Sequence, residues 1–347
     1  MTDITAGAPQ PLSLVILIPV FNDWPAVELL LARIDREIAN HRLTVHVLLV
    51  DDGSTDAPNV RSLHPAAIEC VDLLILRRNL GHQRAIAIGL AHIEHAVPCD
   101  AVVVMDGDGE DDPADIVRLV NRLREIDGRA IVFADRARRM EGWFFRACYR
   151  LYCGLHHVLT GLRVRVGNFS AIPSALLPRL VVISELWNHY AAAVFQSRIP
   201  YESVPTMRAR RLHGRTQMNF VSLVTHGLSA MSVHSERLGV RLLVAGVFGA
   251  AGAGALGMAV LWALHAEGAS WTSILAMGLM LCLSLAQSLV LLMIFVFSTL
   301  HTRRGLGFLP RRDHAYFIWR LTTLFTRTPS RPRTASAAVE ASDRVSR

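Results

Sequence analysis

Residues 242–264 and 268–300 carry no charge, and only His265, Ala266 and Glu267 stand between them. Each run meets the ~20 residues that a helix needs to cross a hydrocarbon core. Two such runs back to back need either a bilayer or a very large soluble core, and their lengths favour the bilayer. With Gly268 available for the turn, the segment 236–302 reads as a tight hairpin of two transmembrane helices, about 242–264 and 270–300. Both outer ends then lie on one side. Arg237 and Arg241 precede the hairpin and Arg303, Arg304, Arg311 and Arg312 follow it, so the excess of cations places both ends in the cytoplasm. The expected location is the inner (cytoplasmic) membrane, multi-pass, with the large N-terminal domain cytoplasmic. Gly246, Ala250 and Gly254, and offset from them Gly249, Ala253 and Gly257, recur at four-residue steps. Such steps suit close helix–helix approach, within the hairpin or between protomers of a homo-oligomer.

Composition agrees. A hydrophobic fraction of 52% and a mean hydropathy of +0.33 exclude a disordered chain and argue against an ordinary cytosolic enzyme. All 36 basic residues are Arg, and the +7 net charge is accounted for by the segment from 301 onward. The first three hundred residues are balanced, and no nucleic-acid partner is expected. None of the five Cys (70, 99, 148, 153, 282) has zinc or redox spacing to another. Residues 1–11 lack the positive stretch of a signal peptide. Aromatic residues and Arg interleave over 143–162 and again over 314–327, which predicts two helices lying in the headgroup layer. The segment 303–347 otherwise reads as a basic cytoplasmic tail.

Residues 1–235 read as one domain. Apolar runs at 12–20, 43–50, 73–76, 101–105 and 130–133 alternate with helical patterns at 25–38, 83–95 and from Pro113. That alternation predicts an α/β fold, a mostly parallel sheet with helices on both faces. In open sheets of this kind ligands bind beyond the C-terminal strand ends. The polar clusters fall there: Pro19 to Asp23 after the first run, Asp51 to Asp56 after the second, and Asp106-Gly107-Asp108-Gly109-Glu110-Asp111-Asp112-Pro113 after 101–105. No Gly-rich dinucleotide or ATP-binding sequence follows any strand. Carboxylates cannot cradle phosphate directly, but they can hold a hard divalent cation that does. Asp106, Asp108 and Glu110 alternate, so an extended segment would project them onto one face.

The sequences I-P-V-F-N-D, V-D-D-G-S-T-D, R-R-N-L-G-H-Q-R-A-I-A-I-G-L and V-M-D-G-D-G-E-D-D-P, in this order between Ile18 and Pro113, resemble those of family 2 glycosyltransferases, especially the polyprenyl-phosphate sugar transferases. The resemblance implies a GT-A-type (Rossmann-like) fold. It implies donor contacts at Pro19, Asn22 and Asp51, with His82 and Asp106 beside them. It further implies that Asp106 and Asp108 hold Mg²⁺ or Mn²⁺ against the donor diphosphate. Glu110 stands where similar proteins usually carry a metal-contacting Gln and is read as a third metal ligand. Arg136 and Arg146 are similar to phosphate-contacting arginines. The stretch from Arg211 to Met218 resembles R-x-x-G-x-S-K-Y, with Gln217 in place of Lys. Asn168 stands within the stretch where many relatives have D-F-R-L. Asp108, Arg136, Arg146 and Arg211 are thus the expected catalytic residues.

These readings together predict a metal-dependent, inverting hexosyltransferase, moving a sugar from a UDP- or GDP-sugar to polyprenyl (undecaprenyl- or dolichyl-type) phosphate at the cytoplasmic membrane face, in cell-envelope glycan synthesis. Two alternatives stay open. A membrane transferase with a different lipid or glycan acceptor would need a base for a hydroxyl, with Asp111 and Glu141 as candidates. A non-catalytic scaffold of the same fold is suggested by Gln217 and Asn168 replacing charged residues.

Overall fold

The computed structural model describes residues 11–58, 64–136, 154, 166–214, 229, 232–268, 270–302 and 308–327. They fall into two compact units: the described residues up to 136, from 166 to 214 and from 309 to 327 form one, and residues 154, 229 to 302 and 308 the other.

The first unit is built on β1 (Leu12–Val20), α1 (Trp24–Ile38), β2 (Leu43–Asp51), β3 (Ile68–Leu76), α2 (His82–Ala96), β4 (Ala101–Val104), α3 (Ala114–Glu125), β5 (Ile131–Arg136), β6 (Val166–Pro173), β7 (Tyr201–Thr206) and β8 (Ile318–Thr326). All eight strands join one sheet in the order β7-β5-β6-β4-β1-β2-β3-β8. The pairs β1–β2, β1–β4, β2–β3 and β5–β7 are parallel. β3–β8, β4–β6 and β5–β6 are antiparallel. The expected parallel core is therefore present inside a mixed sheet. Helices cover both faces because alternate strand residues feed two separate cores. Leu17, Leu48, Val50 and Leu74 pack with Ile86 and Leu90 of α2, whereas Ile16, Val47 and Leu49 pack with Leu30 and Ile34 of α1 and Leu119 of α3. Each such Leu or Ile contributes about 1.5–3 kcal/mol by leaving water. In α1 the buried Val27, Leu30, Leu31, Ile34 and Ile38 recur at helical spacing, after Pro25 in the first turn where its missing N–H costs nothing.

Two elements differ from the sequence expectation. β3 runs from Ile68 rather than 73, because its early polar residues have partners: Asp72 accepts hydrogen bonds from Thr323 and pairs with His46. The expected interfacial helix over 314–327 is corrected. His314–Phe317 is a single 3₁₀ turn, and Ile318–Thr326 is a strand antiparallel to β3, with Leu74 opposite Leu321. An uncovered β3 edge would leave a row of backbone donors and acceptors without partners, and β8 takes them. Its Leu324 and Phe325 pack on one core, while its first residue Ile318 and the preceding Phe317 pack on the other. The chain after the hairpin is thus in part a sheet strand and not all tail. Arg311, read as a membrane-flanking cation, pairs with Glu94 of α2. The interfacial helix expected at 143–162 falls, Gly154 apart, outside the described residues.

In the second unit two 32-residue helices, Ser235–Ala266 and Trp271–Thr302, follow one another. The stretches Arg237–Ala266 and Trp271–Phe295 are long and apolar enough to cross a membrane, and neither is buried in protein. The glycine steps serve the hairpin itself: a Cβ on Gly257 would lie 2.3 Å from Leu281 and one on Gly246 would lie 3.3 Å from Leu292. Gly249 meets nothing within 4 Å. Gly268, at φ +79°, takes the left-handed conformation that ends the first helix.

Candidate active site

Because β2, β1 and β4 are parallel neighbours, their C-terminal ends bring residues 19–23, 51–56 and 105–112 together. Backbone bonds tie these loops to one another, with Asp52 donating to the Val20 carbonyl at 2.8 Å and Met105 to Leu17 at 3.1 Å. Gly107 lies against β1, where a Cβ would be 3.1 Å from the Pro19 oxygen. Asn22, in a left-handed conformation, accepts from the Thr55 N–H at 2.9 Å through its side-chain oxygen. Asp51 accepts from the Ser54 N–H at 2.9 Å. Asp52 is buried and accepts the Leu80 and Gly81 N–H groups at 2.7 and 2.8 Å, tying this loop to the start of α2. Burial raises its pKa against the pull of those two N–H groups. Pro19, Asp52, Gly81 and His82 line part of a cleft of about 220 Å³.

The acidic segment departs from the extended geometry that its alternation suggested. β4 stops at Val104, and residues 106–110 form a turn in which Gly109 has φ +78°. The three carboxylates consequently meet three different partners. Asp106 Oδ1 lies 3.1 Å from His82 Nε2. Asp108 Oδ2 accepts from Arg211 Nη1 at 3.2 Å, and Glu110 pairs with Arg208. Arg211 also bonds Asp23 through Nη2, so one guanidinium joins the ends of β1 and β4. The segment carrying these arginines is held by its backbone, with Leu212 donating to the Asp108 carbonyl at 3.0 Å and Ala209 to Glu110 at 2.9 Å. Burial raises the Asp23 pKa, with Asp108 adding to it, against the opposing pull of Arg211. Asp111 is buried and accepts the Asp106 N–H at 2.9 Å. It holds the turn.

A chain of amides fixes Asp106 from behind. Gln83 Oε1 accepts the Tyr190 N–H at 2.7 Å, which leaves Gln83 Nε2 to donate to Asn168 Oδ1 at 3.2 Å. Asn168 therefore turns its Nδ2 toward Asp106 Oδ1 (3.5 Å) and His82 Nε2 (3.0 Å). Burial disfavours the His82 cation, but Asp106, with Asp108 and Asp52, outweighs it and raises the pKa. The Asn168 carboxamide thus links Gln83 to Asp106 and His82 without a charge of its own.

Of the expected residues, the structure gathers Pro19, Asn22, Asp51, His82, Asp106, Asp108, Glu110 and Arg211 at one sheet edge. Arg136 ends β5 opposite Thr206, and its side chain, like all of Arg146 and Glu141, lies outside the described residues. Sequence reasoning missed the roles of Asp23, Asp52, Gln83 and Arg208. The doubled acid at 51–52 and the Arg208–Arg211 cluster were the only signals, and neither names a partner. The oxygen-only donor set of Asp106, Asp108 and Glu110 has the chemistry a hard divalent cation prefers; the three carboxylates are turned to His82, Arg211 and Arg208 and do not themselves lie within 4.8 Å of one another.

A doubly covered sheet with acids gathered at its C-terminal strand ends is the α/β class of architecture whose ligand sites form at that edge. Residues 15–174 match the family model described as glycosyl transferase family 2. The chain is 29% identical over 220 residues to an undecaprenyl-phosphate 4-deoxy-4-formamido-L-arabinose transferase of Edwardsiella ictaluri, covering 60% of this chain and 64% of that protein. It is 33% identical over 141 residues to a dodecaprenyl-phosphate galacturonate synthase of Rhizobium johnstonii, covering 40% of each. The chain thus spans less than two thirds of the length of these curated relatives. Glucosyl-3-phosphoglycerate synthase of Mycobacterium tuberculosis, crystallised with Mn²⁺, UDP-glucose and phosphoglyceric acid, aligns with a TM-score of 0.48 at 17% identity, over 67% of this chain and 81% of that one.

Proposed function

We propose that the protein transfers a sugar from a nucleotide-sugar donor to a polyprenyl phosphate at the cytoplasmic face of the membrane that its hairpin spans. The observation that carries this reading is the Arg211 clamp. It draws Asp108 and Asp23 together at the strand ends of a domain that matches the family 2 model and whose chain continues into two membrane-length helices. The two relatives named above differ in the sugar and share a polyprenyl phosphate, so the acceptor class is the part of their chemistry that supports the reading.

In this reading Asp106, Asp108 and Glu110 hold Mg²⁺ or Mn²⁺. A cation held there would offset the negative charge developing on the departing diphosphate, the electrostatic route to a lower barrier. Pro19, Asn22 and Asp51 border the nucleotide, and His82 sits beside the sugar-phosphate side of the cleft. Arg211, held at the acids, supplies a planar guanidinium for phosphate oxygens. Arg136 and Arg146 serve the acceptor phosphate. That phosphate is already an anion and needs no proton removed, in keeping with Asp111 being committed to the Asp106 N–H. A single displacement inverts the anomeric centre.

The test is to incubate membranes carrying the chain with labelled UDP- and GDP-sugars, with and without undecaprenyl phosphate. An organic-soluble, acid-labile product that needs added lipid phosphate, disappears with chelator and is absent for Asp108→Asn supports the proposal. A product formed on a hydroxyl acceptor overturns the acceptor assignment, and unchanged product with Asp108→Asn overturns the enzymatic one.

A further inference from the structure

A second group of metal-competent side chains lies on β2 and β3, away from the acids. His46 and Cys70 are register partners on these strands, and Asp72 lies two residues beyond Cys70 on the same face. His46 Nε2 is 2.9 Å from Asp72 Oδ2, Cys70 Sγ is 3.7 Å from Asp72 Oδ1, and all three ligand atoms lie within 4.8 Å of one another. Among the described residues this is the group of three that meets that criterion. His46 precedes Asp51 by five residues on β2, so the cluster sits ~17 Å from the catalytic edge, at 3.3 Å per strand residue.

We propose that His46, Cys70 and Asp72 form a binding site for a borderline divalent cation of the Zn²⁺ kind, separate from the Mg²⁺ or Mn²⁺ site. One imidazole, one thiolate and one carboxylate make the mixed N, S, O set that zinc accepts, whereas the all-oxygen set at Asp106 suits harder ions. Ligand atoms 2.0–2.3 Å from a tetrahedral ion lie about 3.3–3.8 Å apart, and the observed 2.9 and 3.7 Å, with all three atoms within 4.8 Å, need only small adjustments to reach that spacing. The support a metal carboxylate needs is present. Thr323 of β8 donates to Asp72 Oδ1 at 2.7 Å, leaving Oδ2 directed at His46, the outer-shell arrangement that orients a ligand. Metal entry releases the Cys70 thiol proton and moves the His46 ring proton to Nδ1, with water in the fourth position. Through Asp72 and Thr323 the ion would fasten the strand that follows the hairpin to the body of the sheet.

The experiment uses the full chain in detergent, stripped with chelator and titrated with Co²⁺ in excess Mg²⁺. The expected result is a near-ultraviolet thiolate-to-cobalt band that Zn²⁺ displaces, that Asp108→Asn retains and that Cys70→Ser abolishes. His46→Gln is expected to weaken binding by more than about 100-fold, beyond the cost of outer-shell changes. Where Cys70→Ser does not fold, Zn²⁺ protection of Cys70 from alkylation, read by mass spectrometry in the unaltered chain, takes its place. The expected slowing is about tenfold or more, as a metal-bound thiolate is withdrawn from reaction. Absence of the band, its survival in Cys70→Ser, or unprotected alkylation overturns the site.

Discussion

Gln83 accepts the backbone N–H of Tyr190 at 2.7 Å, and this bond decides the orientation of every amide between it and the acidic loop. A backbone N–H can only donate, so the Gln83 oxygen faces it, the Gln83 NH₂ faces Asn168, and the Asn168 NH₂ faces Asp106. Gln83→Leu should leave buried polar groups without partners and cost about 1–3 kcal/mol of stability. Gln83→Glu is the sharper variant. It still accepts from Tyr190 but cannot donate to Asn168, so Asn168 must turn its oxygen toward Asp106. The expected outcome is a fall of about tenfold or more in kcat, comparable with outer-shell losses at metal sites, with a shift in divalent-ion dependence and a lower thermal stability from the buried carboxylate. Steady-state kinetics against added Mg²⁺ and Mn²⁺ check it, and an unaltered ion dependence counts against the relay.

Arg211 joins Asp108 and Asp23 through two nitrogens of one planar group. Lysine keeps the charge and loses the fork. Arg211→Lys and Arg211→Ala should therefore both lower kcat/KM, by about 10²-fold or more for alanine, on the scale of losing one transition-state donor. If lysine restores full activity, charge alone is sufficient and the bridging geometry is irrelevant.

Gly109 combines φ +78° with a Leu212 side chain 2.3 Å from where a Cβ would stand. Gly109→Ala should cost about 1–3 kcal/mol from the left-handed conformation and the clash together. In a Leu212→Ala background the clash is removed and only the conformational part remains. Denaturation of the pair of variants separates the two contributions, and identical costs in both backgrounds would show that the segment at 208–212 does not press on the acidic turn.

Within the hairpin, Gly257 faces Leu281 and Gly249 faces open space. Gly257→Leu should overpack the helix pair by about 1–3 kcal/mol, seen as a lower unfolding temperature in detergent, while Gly249→Leu is tolerated. The reverse order would place the close helix contact between protomers instead.

Acid should loosen the first unit. Burial, with His314 and His95 nearby, pushes His92 down to about 4 from 6.5. His314 is likewise held below its ordinary value by burial, despite hydrogen bonds to the Arg311 and Pro310 carbonyls. Between pH 6.5 and 4 the unfolded chain binds more protons at these positions, so their contribution to stability falls as the pH drops through that window and is constant above it. Unfolding measured from pH 7.5 to 4.5 checks the sign, and His92→Gln should flatten the slope.

Much of this protein was legible in the order of its residues. Periodicity is local, so the runs at 12–20, 43–50 and 101–105, the intervening helices and the uncharged hairpin could be read from neighbours along the chain. The acids at 106–110 were legible for the same reason, since a strand's end and the loop after it are adjacent in sequence. What the tertiary structure decided involves groups far apart in the chain. Residues 318–326 mix aromatics, Thr and Arg in a pattern that a headgroup helix would share; the open edge of β3 made them a strand. Asp108 and Arg211, Gln83 and Tyr190, and His46 and Asp72 are separated by 103, 107 and 26 residues. Their pairing depends on which strands lie side by side, and side-chain polarity alone does not specify a partner.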